Sequence, residues 1–505
     1  MIGDRLRDRP RRRPPLEGRG RSVLIAALSL ATLLIAAFYL TTPGIASCDD
    51  CAPHPLLQTL YDVVSIATVA IAAYFCALYV VGLRNAAADP PRPSDRPPLF
   101  VLMTPAHNEE LVIEATVKRM RSLQVPGGRM LALILNDGSS DRTSEVALAA
   151  AEGDERILVL DRLPAIAGQG KGAVLNHGYQ IVDRLCEWGD TRLQGATADE
   201  IVICVVDADG WMRDDALMKV GPYFDDPQVG AVQIPVRMYN ARKNLLAAMQ
   251  DIEFIAFSIL IQGGRDRIGS ALLGGNGQFV RLSALRSVGR MPWTKSLTED
   301  LDLGLHLAVR GWRIRMCPHT VVAQQAVTDA RRLLRQRTRW VQGHYTCWSH
   351  LPALWRARGL RPLVRLDLSA HLVLATLVLL VAAQALLGIA GFAGLFALDR
   401  SVMAKLIGDD TAFRVFVVLA SSGPLALIGL AYQRAAVSFG GSGDLRLPVW
   451  SLPGMFLAFT AYTYFWGLPC TARALARMTR REDGWAKTAR DPVTAPSTTP
   501  EPTFA

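Results

Sequence analysis

The sequence predicts an α/β domain built on a parallel sheet and set between apolar segments long enough to cross a membrane. Three observations predict it. Half of the 505 residues are hydrophobic while a fifth are charged, a mixture that suits neither a pure membrane bundle nor a plain soluble enzyme. The apolar residues gather toward the two ends of the chain. Between them, short β-rich apolar runs at Leu99–Met103, Leu131–Leu135, Ile157–Leu160 and Ile201–Val206 alternate with helix-like stretches near Glu109–Leu123, Asp141–Ala151 and Gly172–Glu187. Strands that are apolar on both faces and separated by helices form a parallel sheet covered on both sides.

The elements follow in order. Residues 1–21 carry eight arginines and form a basic head. Residues 22–84 hold two spans, Val23–Leu40 and Val63–Leu83, and arginines at both outer ends put the head and the following segment in the cytoplasm. Cys48 and Cys51 lie between the spans, where a local disulfide is one reading; no second ligand pair stands nearby for a zinc site. Residues 85–98, rich in proline and charge, read as a linker into the domain over 99–350. Residues 351–365 mix Leu354, Trp355, Leu360 and Leu363 with four arginines, as an interfacial helix does.

Residues 366–435 supply two further spans, Leu368–Leu395 and Val415–Tyr432. The stretch 446–480 is apolar, but Pro448, Pro453, Gly454, Gly467 and Pro469 interrupt it. It is expected as a re-entrant or interfacial hairpin, with a fifth span as the alternative, because a hairpin keeps the basic residues beyond Arg473 in the cytoplasm. Residues 481–505 form a cytoplasmic tail. The expected setting is therefore the cell membrane, crossed several times, with the central domain cytoplasmic. The net charge of +10 sits mainly beside apolar runs, so it points to lipid headgroups. No groove-reading motif accompanies it, which argues against nucleic acid.

The polar motifs fall at the ends of the expected strands, where a parallel sheet binds its ligands. Asp207 and Asp209 follow the fourth strand, and two carboxylates at that spacing can share a hard cation, Mg2+ or Mn2+, that bridges diphosphate oxygens. Asp137 opens a turn after the second strand, and Glu109 closes the first; both could meet a nucleoside. Lys171 begins a helix, where its charge and the helix dipole suit a diphosphate. Glu299 and Asp300 begin another helix, beside Thr298, and a carboxylate there can serve as a general base. Gln336, Arg339 and Trp340 add an amide, a permanent cation and a flat amphipathic ring for a sugar. Read singly, these are turn residues, helix caps and a basic helix face. In this order, at strand ends, they describe one pocket.

The series Pro105-Ala106-His107-Asn108-Glu109, Asp137-Gly138-Ser139-Ser140-Asp141-Arg142-Thr143, Lys171-Gly172-Ala173-Val174-Leu175-Asn176, Asp207-Ala208-Asp209, Thr298-Glu299-Asp300 and Gln336-Arg337-Thr338-Arg339-Trp340 resembles the family 2 inverting glycosyltransferases. Within them it is most similar to the membrane synthases of cellulose, chitin, hyaluronan and poly-N-acetylglucosamine. That resemblance implies a GT-A fold, a UDP-sugar donor, a divalent cation and a polysaccharide acceptor, with a lipid acceptor as the alternative and accessory export proteins as partners. By matching positions, Glu109 and Asp137 would hold the uridine and Lys171 the diphosphate. Asp207 would face the donor and the metal, and Asp209 would bind the metal. Asp300 would be the base, with Glu299 beside it. Arg339 would meet the diphosphate, and Trp340 and Gln336 the acceptor. Trp485, Lys487, Thr488 and Arg490 resemble a tail loop that closes over the nucleotide. The chain departs from the pattern at His107, where the family usually has tyrosine, and at Gly274–Gln278, which is not the acceptor-side sequence of a cellulose or hyaluronan synthase.

Overall fold

The structure, a computed structural model, describes residues 74–373 and 452–480 with positions 428 and 432. The first span, Cys48 and Cys51, most of the spans over 366–435 and the tail residues Trp485, Lys487, Thr488 and Arg490 lie outside the described residues.

Ten strands occur in chain order: β1 (Leu99–Ala106), β2 (Met130–Asn136), β3 (Ile157–Asp161), β4 (Ile201–Val205), β5 (Trp211–Met212), β6 (Val229–Gln233), β7 (Val236–Met238), β8 (Gln278–Arg281), β9 (Arg313–Met316) and β10 (Val322–Gln324). Seven form one sheet in the order β3-β2-β1-β4-β8-β6-β9, and β5-β10-β7 form a small second sheet. β1 lies centrally and parallel to β2 and β4, pairing Phe100 with Met130 and Leu99 with Ile201. β8 alone reverses the large sheet, running antiparallel to both β4 and β6.

The alternation of side chains along β1 builds two cores. Phe100 and Leu102 pack on one face with Ile113, Val117, Ala147 and Phe279. Val101 and Met103 pack on the other with Leu175, Val182, Ile203 and Leu303. Burying each such side chain contributes about 1.5–3 kcal/mol, and neither face of the strand is left for solvent. The helices Ile113–Ser122, Thr143–Ala151 and Lys171–Glu187 supply the covering layers. The first four strands and these three helices occur where the apolar pattern places them. β6, β8 and β9 were not anticipated: they are four or five residues long and carry Gln233, Gln278, Arg281 and Arg313, so they lack the uninterrupted apolar signature.

A helical layer stands beside the sheet. Residues 74–86, the end of the second expected span, are helical and cross the helix Leu245–Ile268 backbone to backbone. A Cβ at Gly264 would lie 2.5 Å from the Leu78 carbonyl oxygen. Leu245–Ile268 is, among the described residues, the one helix long and apolar enough to cross a membrane, and 61% of its apolar window is buried within the protein. A π-helical turn at Phe257–Gln262 interrupts it.

Two expectations are corrected here. The interfacial stretch 351–365 is not one helix: Leu351–Arg356 ends before Arg358-Gly359, and a second helix begins at Pro362 and is still helical at 373, the last described residue there. Nor do residues 452–480 fold back as a hairpin, because Leu452–Arg480 is a single helix with Pro469 inside it. Packing against Ala330–Thr346 holds it together: Cys470, Ala474 and Met478 are buried on Val341 and Tyr345. The hydrogen bond lost at proline is offset by that contact.

Candidate active site

The carboxyl ends of β1, β2 and β4 open into one cavity of about 550 Å3. Glu109, Asp137, Lys171, Asp207, Asp209, Glu299, Asp300, Gln336, Arg339 and Trp340 all line it, so every described residue singled out by the sequence converges there.

The first two strand ends are laced together. The Asn108 backbone, with φ of 54°, donates to Ser139 Oγ at 2.8 Å, and the Ser140 N–H returns a bond to Asn108 Oδ1 at 2.7 Å. Asp141 accepts from the backbone N–H of Glu110 (3.2 Å) and of Thr143 (3.1 Å), so this acid of the Asp-Gly-Ser-Ser-Asp motif serves the loop. His107 Nδ1 lies 2.8 Å from the Asp137 carbonyl oxygen. Asp137 itself is buried, and its Oδ1 accepts from the Gly168 N–H at 3.1 Å and from Arg162. Arg162 is a functional neighbour that sequence reasoning missed. Its only signal was a basic residue directly after β3, in a strand-end position.

Lys171 lies at the centre of the site. Its Nζ donates to Asp207 Oδ1 at 2.7 Å and stands 3.6 Å from Glu299 Oε1. Burial works to lower its pKa, but Asp207, Glu299 and Asp300 together hold it above its usual value. The lysine is therefore a fixed cation tying the end of β4 to the helix Glu299–Val309, which starts about 90 residues further along the chain. Asp209 is 3% exposed, and its Oδ2 accepts the Gln325 N–H at 3.0 Å. The Asp207 N–H donates to Asn276 Oδ1 at 3.1 Å, and Asn276 Nδ2 donates to Gln324 Oε1 at 2.9 Å. Two oxygen-donor carboxylates, each oriented by a named bond and both facing one cavity, fit a hard divalent cation.

Asp300 sits at the start of its helix, where Oδ1 accepts the Leu301 N–H at 2.8 Å. Burial, and after it the neighbouring Glu299 carboxylate, push its carboxyl up to about 7 against the opposing pull of the Leu301 N–H and of Lys171. A carboxylate titrating there is suited to take a proton near neutral pH. Gly275 makes room for it: φ is 79°, and a Cβ would lie 3.0 Å from Asp300 Oδ2. Gly343 does the same two residues earlier, since a Cβ there would lie 2.8 Å from the Thr298 backbone nitrogen. Ala330–Thr346 can thus pack directly on the Thr298–Asp300 turn. One step along the helix, Asp302 accepts from Thr294 (2.8 Å) and bonds His350 (2.7 Å). Asp302, His306 and His350 converge closely enough to hold a metal ion, but the Arg310 guanidinium contacts His306 at 3.3 Å and places a cation on that group already.

The lining of the cavity divides by element. The strand ends and Glu299–Asp300 bring charge. The helices Leu245–Ile268, Ala330–Thr346 and Leu452–Arg480 bring Phe254, Phe257, Trp340, Val341 and Trp466 together with the polar Glu253, Gln262, Gln336, Arg337, Arg339 and His344, and Leu272, Leu273, Leu297 and Leu301 complete the lining. The π-helical turn carries Phe257 and Gln262 into this lining.

Residues 97–343 match the family described as Glycosyltransferase like family 2. The chain is 33% identical over 250 residues to a probable glycosyltransferase, YdaM, of Bacillus subtilis, covering 49% of this chain and 55% of that one. It is equally identical to the beta-monoglucosyldiacylglycerol synthase of Trichormus variabilis, covering 49% of each. It is 28% identical over 239 residues to the poly-beta-1,6-N-acetyl-D-glucosamine synthase of Staphylococcus aureus, covering 47% and 52%. The chain spans about half the length of the curated relatives it matches. Among solved structures it is similar to the mannosyltransferase PcManGT from Pyrobaculum calidifontis in complex with GDP-Man and Mn2+. That match has a TM-score of 0.47 and 18% identity, and covers 74% of this chain and 97% of that one. Residues 97–343 thus match a glycosyltransferase family 2 model, and the mostly parallel sheet that carries the cavity lies within that matched span.

Proposed function

We propose that this chain is a membrane-bound inverting glycosyltransferase that moves one sugar from a UDP-sugar donor to the hydroxyl of a lipid acceptor. The observation that carries the reading is the mixed lining of the cavity: Lys171, Asp207, Asp209 and Asp300 stand with Phe254, Phe257, Val341 and Trp466 from three helices. A saccharide chain needs hydrogen-bonding partners along its length, whereas Phe254, Phe257, Val341 and Trp466 offer apolar surface suited to a lipid. Glucosyl transfer to a lipid is also what the name of the synthase from Trichormus variabilis describes.

In this reading the acceptor hydroxyl is held beside Asp300. Its oxygen forms a bond to the anomeric carbon as the bond from that carbon to the diphosphate oxygen breaks in line. The hydroxyl proton passes to the Asp300 carboxylate, and the electron pair leaves with UDP. Lys171 and Arg339 stabilise the charge on the departing diphosphate, and Asp137, held by Arg162, orients the nucleoside with Glu109. Asp207 and Asp209 would hold a divalent cation, Mg2+ or Mn2+, which supplies neutralisation of the leaving diphosphate. The apolar segments over 22–84 and 366–435 anchor the domain at the cytoplasmic face. Trp355, Leu363 and Leu366, each more than half exposed beside four arginines, suit the headgroup region.

The alternative acceptor is a growing polysaccharide. The flat ring of Trp340 in the cavity favours it, as does the likeness to the poly-N-acetylglucosamine synthase. The purified full chain, given labelled UDP-glucose or UDP-N-acetylglucosamine, Mn2+ and dioleoylglycerol in mixed micelles, separates the two. One organic-extractable product is expected; a size ladder of water-soluble products would refute the lipid reading.

A further inference from the structure

Of the motif Gln336–Trp340, the resemblance gives roles to Gln336, Arg339 and Trp340 and none to Arg337. We infer that Arg337 is the positioning residue of the acceptor side: its guanidinium staples three helices into the apolar wall and so sets where the acceptor hydroxyl lies relative to Asp300. This inference rests on the reading of the cavity as an acceptor site.

Arg337 is 4% exposed, yet it borders the cavity. Its Nη1 donates to Glu253 Oε1 at 2.9 Å and its Nη2 to Glu253 Oε2 at 2.6 Å, a two-pronged pair. The Tyr462 hydroxyl accepts from Nη2 at 3.1 Å and donates to Glu253 Oε2 at 2.6 Å, closing a three-membered ring of bonds. Three aromatic rings surround the same cation: Trp340 at 4.4 Å, Trp466 at 5.1 Å and Phe254 at 5.7 Å. Glu253 and Phe254 come from Leu245–Ile268, Arg337 and Trp340 from Ala330–Thr346, and Tyr462 and Trp466 from Leu452–Arg480. Glu253, Phe254, Trp340 and Trp466 all line the cavity. One buried guanidinium therefore fixes the rings that an acceptor would touch.

A diphosphate ligand is the competing use of an arginine, and the geometry disfavours it. Both terminal nitrogens are engaged by Glu253 and Tyr462, and the carboxylate cancels the charge. Only a guanidinium can fork onto a carboxylate while stacking on rings, so lysine is not a substitute here. The wall also couples to the last described helix: Leu452–Arg480 carries Tyr462 and Trp466, which meet Trp340 through Arg337.

The test uses the full chain in mixed micelles with UDP-glucose, Mn2+ and dioleoylglycerol, comparing Arg337→Lys, Glu253→Gln and Tyr462→Phe. We expect the acceptor KM to rise roughly ten- to a hundred-fold in the first two and less in Tyr462→Phe, which loses one hydroxyl only. UDP affinity by calorimetry should stay within about two-fold, and hydrolysis of UDP-glucose by water should gain on lipid transfer. Loss of UDP affinity with an unchanged acceptor KM would reassign Arg337 to the donor, and unchanged kinetics in Tyr462→Phe and Glu253→Gln would remove the clamp. Should Arg337→Lys fail to fold, those two variants decide. If the wild type makes a polysaccharide ladder instead, the acceptor class falls alone, and the same ratio of hydrolysis to transfer is read on the ladder.

Discussion

Replacing Asp300 with asparagine separates catalysis from folding in a single variant. The side chain keeps its shape and its bond with the Leu301 N–H but can no longer take a proton. General-base assistance is worth roughly 10²–10⁴-fold, or about 3–5 kcal/mol of barrier, so UDP release in the presence of acceptor should fall by that much. UDP affinity should change by less than about two-fold, because the acid acts on the acceptor. With Asp300 pushed up to about 7, wild-type turnover should rise with pH through that value and then level off; Asp300→Asn loses this limb. Stability moves the other way. A carboxyl raised above its usual range costs the folded state nothing well below pH 3.8, where it is protonated folded or unfolded. The cost grows from there as pH rises to about 7 and is constant above it. The full rise from 3.8 corresponds to roughly 4 kcal/mol, which the opening of the cavity to solvent reduces to about 1–2. Asp300→Asn should therefore melt a few degrees higher than wild type at pH 8, with the gain shrinking as pH falls toward 3.8. A variant that turns over normally refutes the assignment. So does one that is inactive but melts lower at pH 8, because inactivity would then reflect a damaged fold.

Two further outcomes follow from the same geometry. Asp209→Ala should remove the gain in UDP affinity that Mn2+ gives while leaving the metal-free affinity in place; calorimetry with and without Mn2+ that shows the same gain contradicts the proposed metal pair. Gly275→Ala puts a methyl 3.0 Å from Asp300 Oδ2 at a φ of 79°, with about 1–2 kcal/mol of backbone strain. Its kcat should drop roughly ten-fold and the inflection of its pH profile should move, and an unmoved inflection would show that Gly275 does not shape the base.

The alternation of short apolar runs with helical stretches was enough to place β1 to β4 and the three helices between them, because period and composition are local properties. It also located the polar residues at strand ends, since a run of buried apolar residues must stop where the first carboxylate appears. Glu109, Asp137 and Asp207 are legible for that reason. What pairs with them is not. Arg162 reaches Asp137 because β3 lies beside β2, and Lys171 reaches Glu299 because the chain between them, with β8 reversed, returns the helix Glu299–Val309 to the mouth of β4.

By itself, then, the sequence determined the class of the sheet and the polar residues that meet in one cavity. Only the tertiary structure decided that Arg337 grips Glu253 and Tyr462 at the edge of the cavity, because helix phase becomes meaningful once a neighbouring helix is in place. It also decided that Leu452–Arg480 continues through Pro469, where helix packing outweighs a local penalty. The apolar part of the cavity, which shifts the reading from polymer toward lipid, belongs to this second kind. Its wall comes from three helices far apart in the chain, and no local pattern records their meeting.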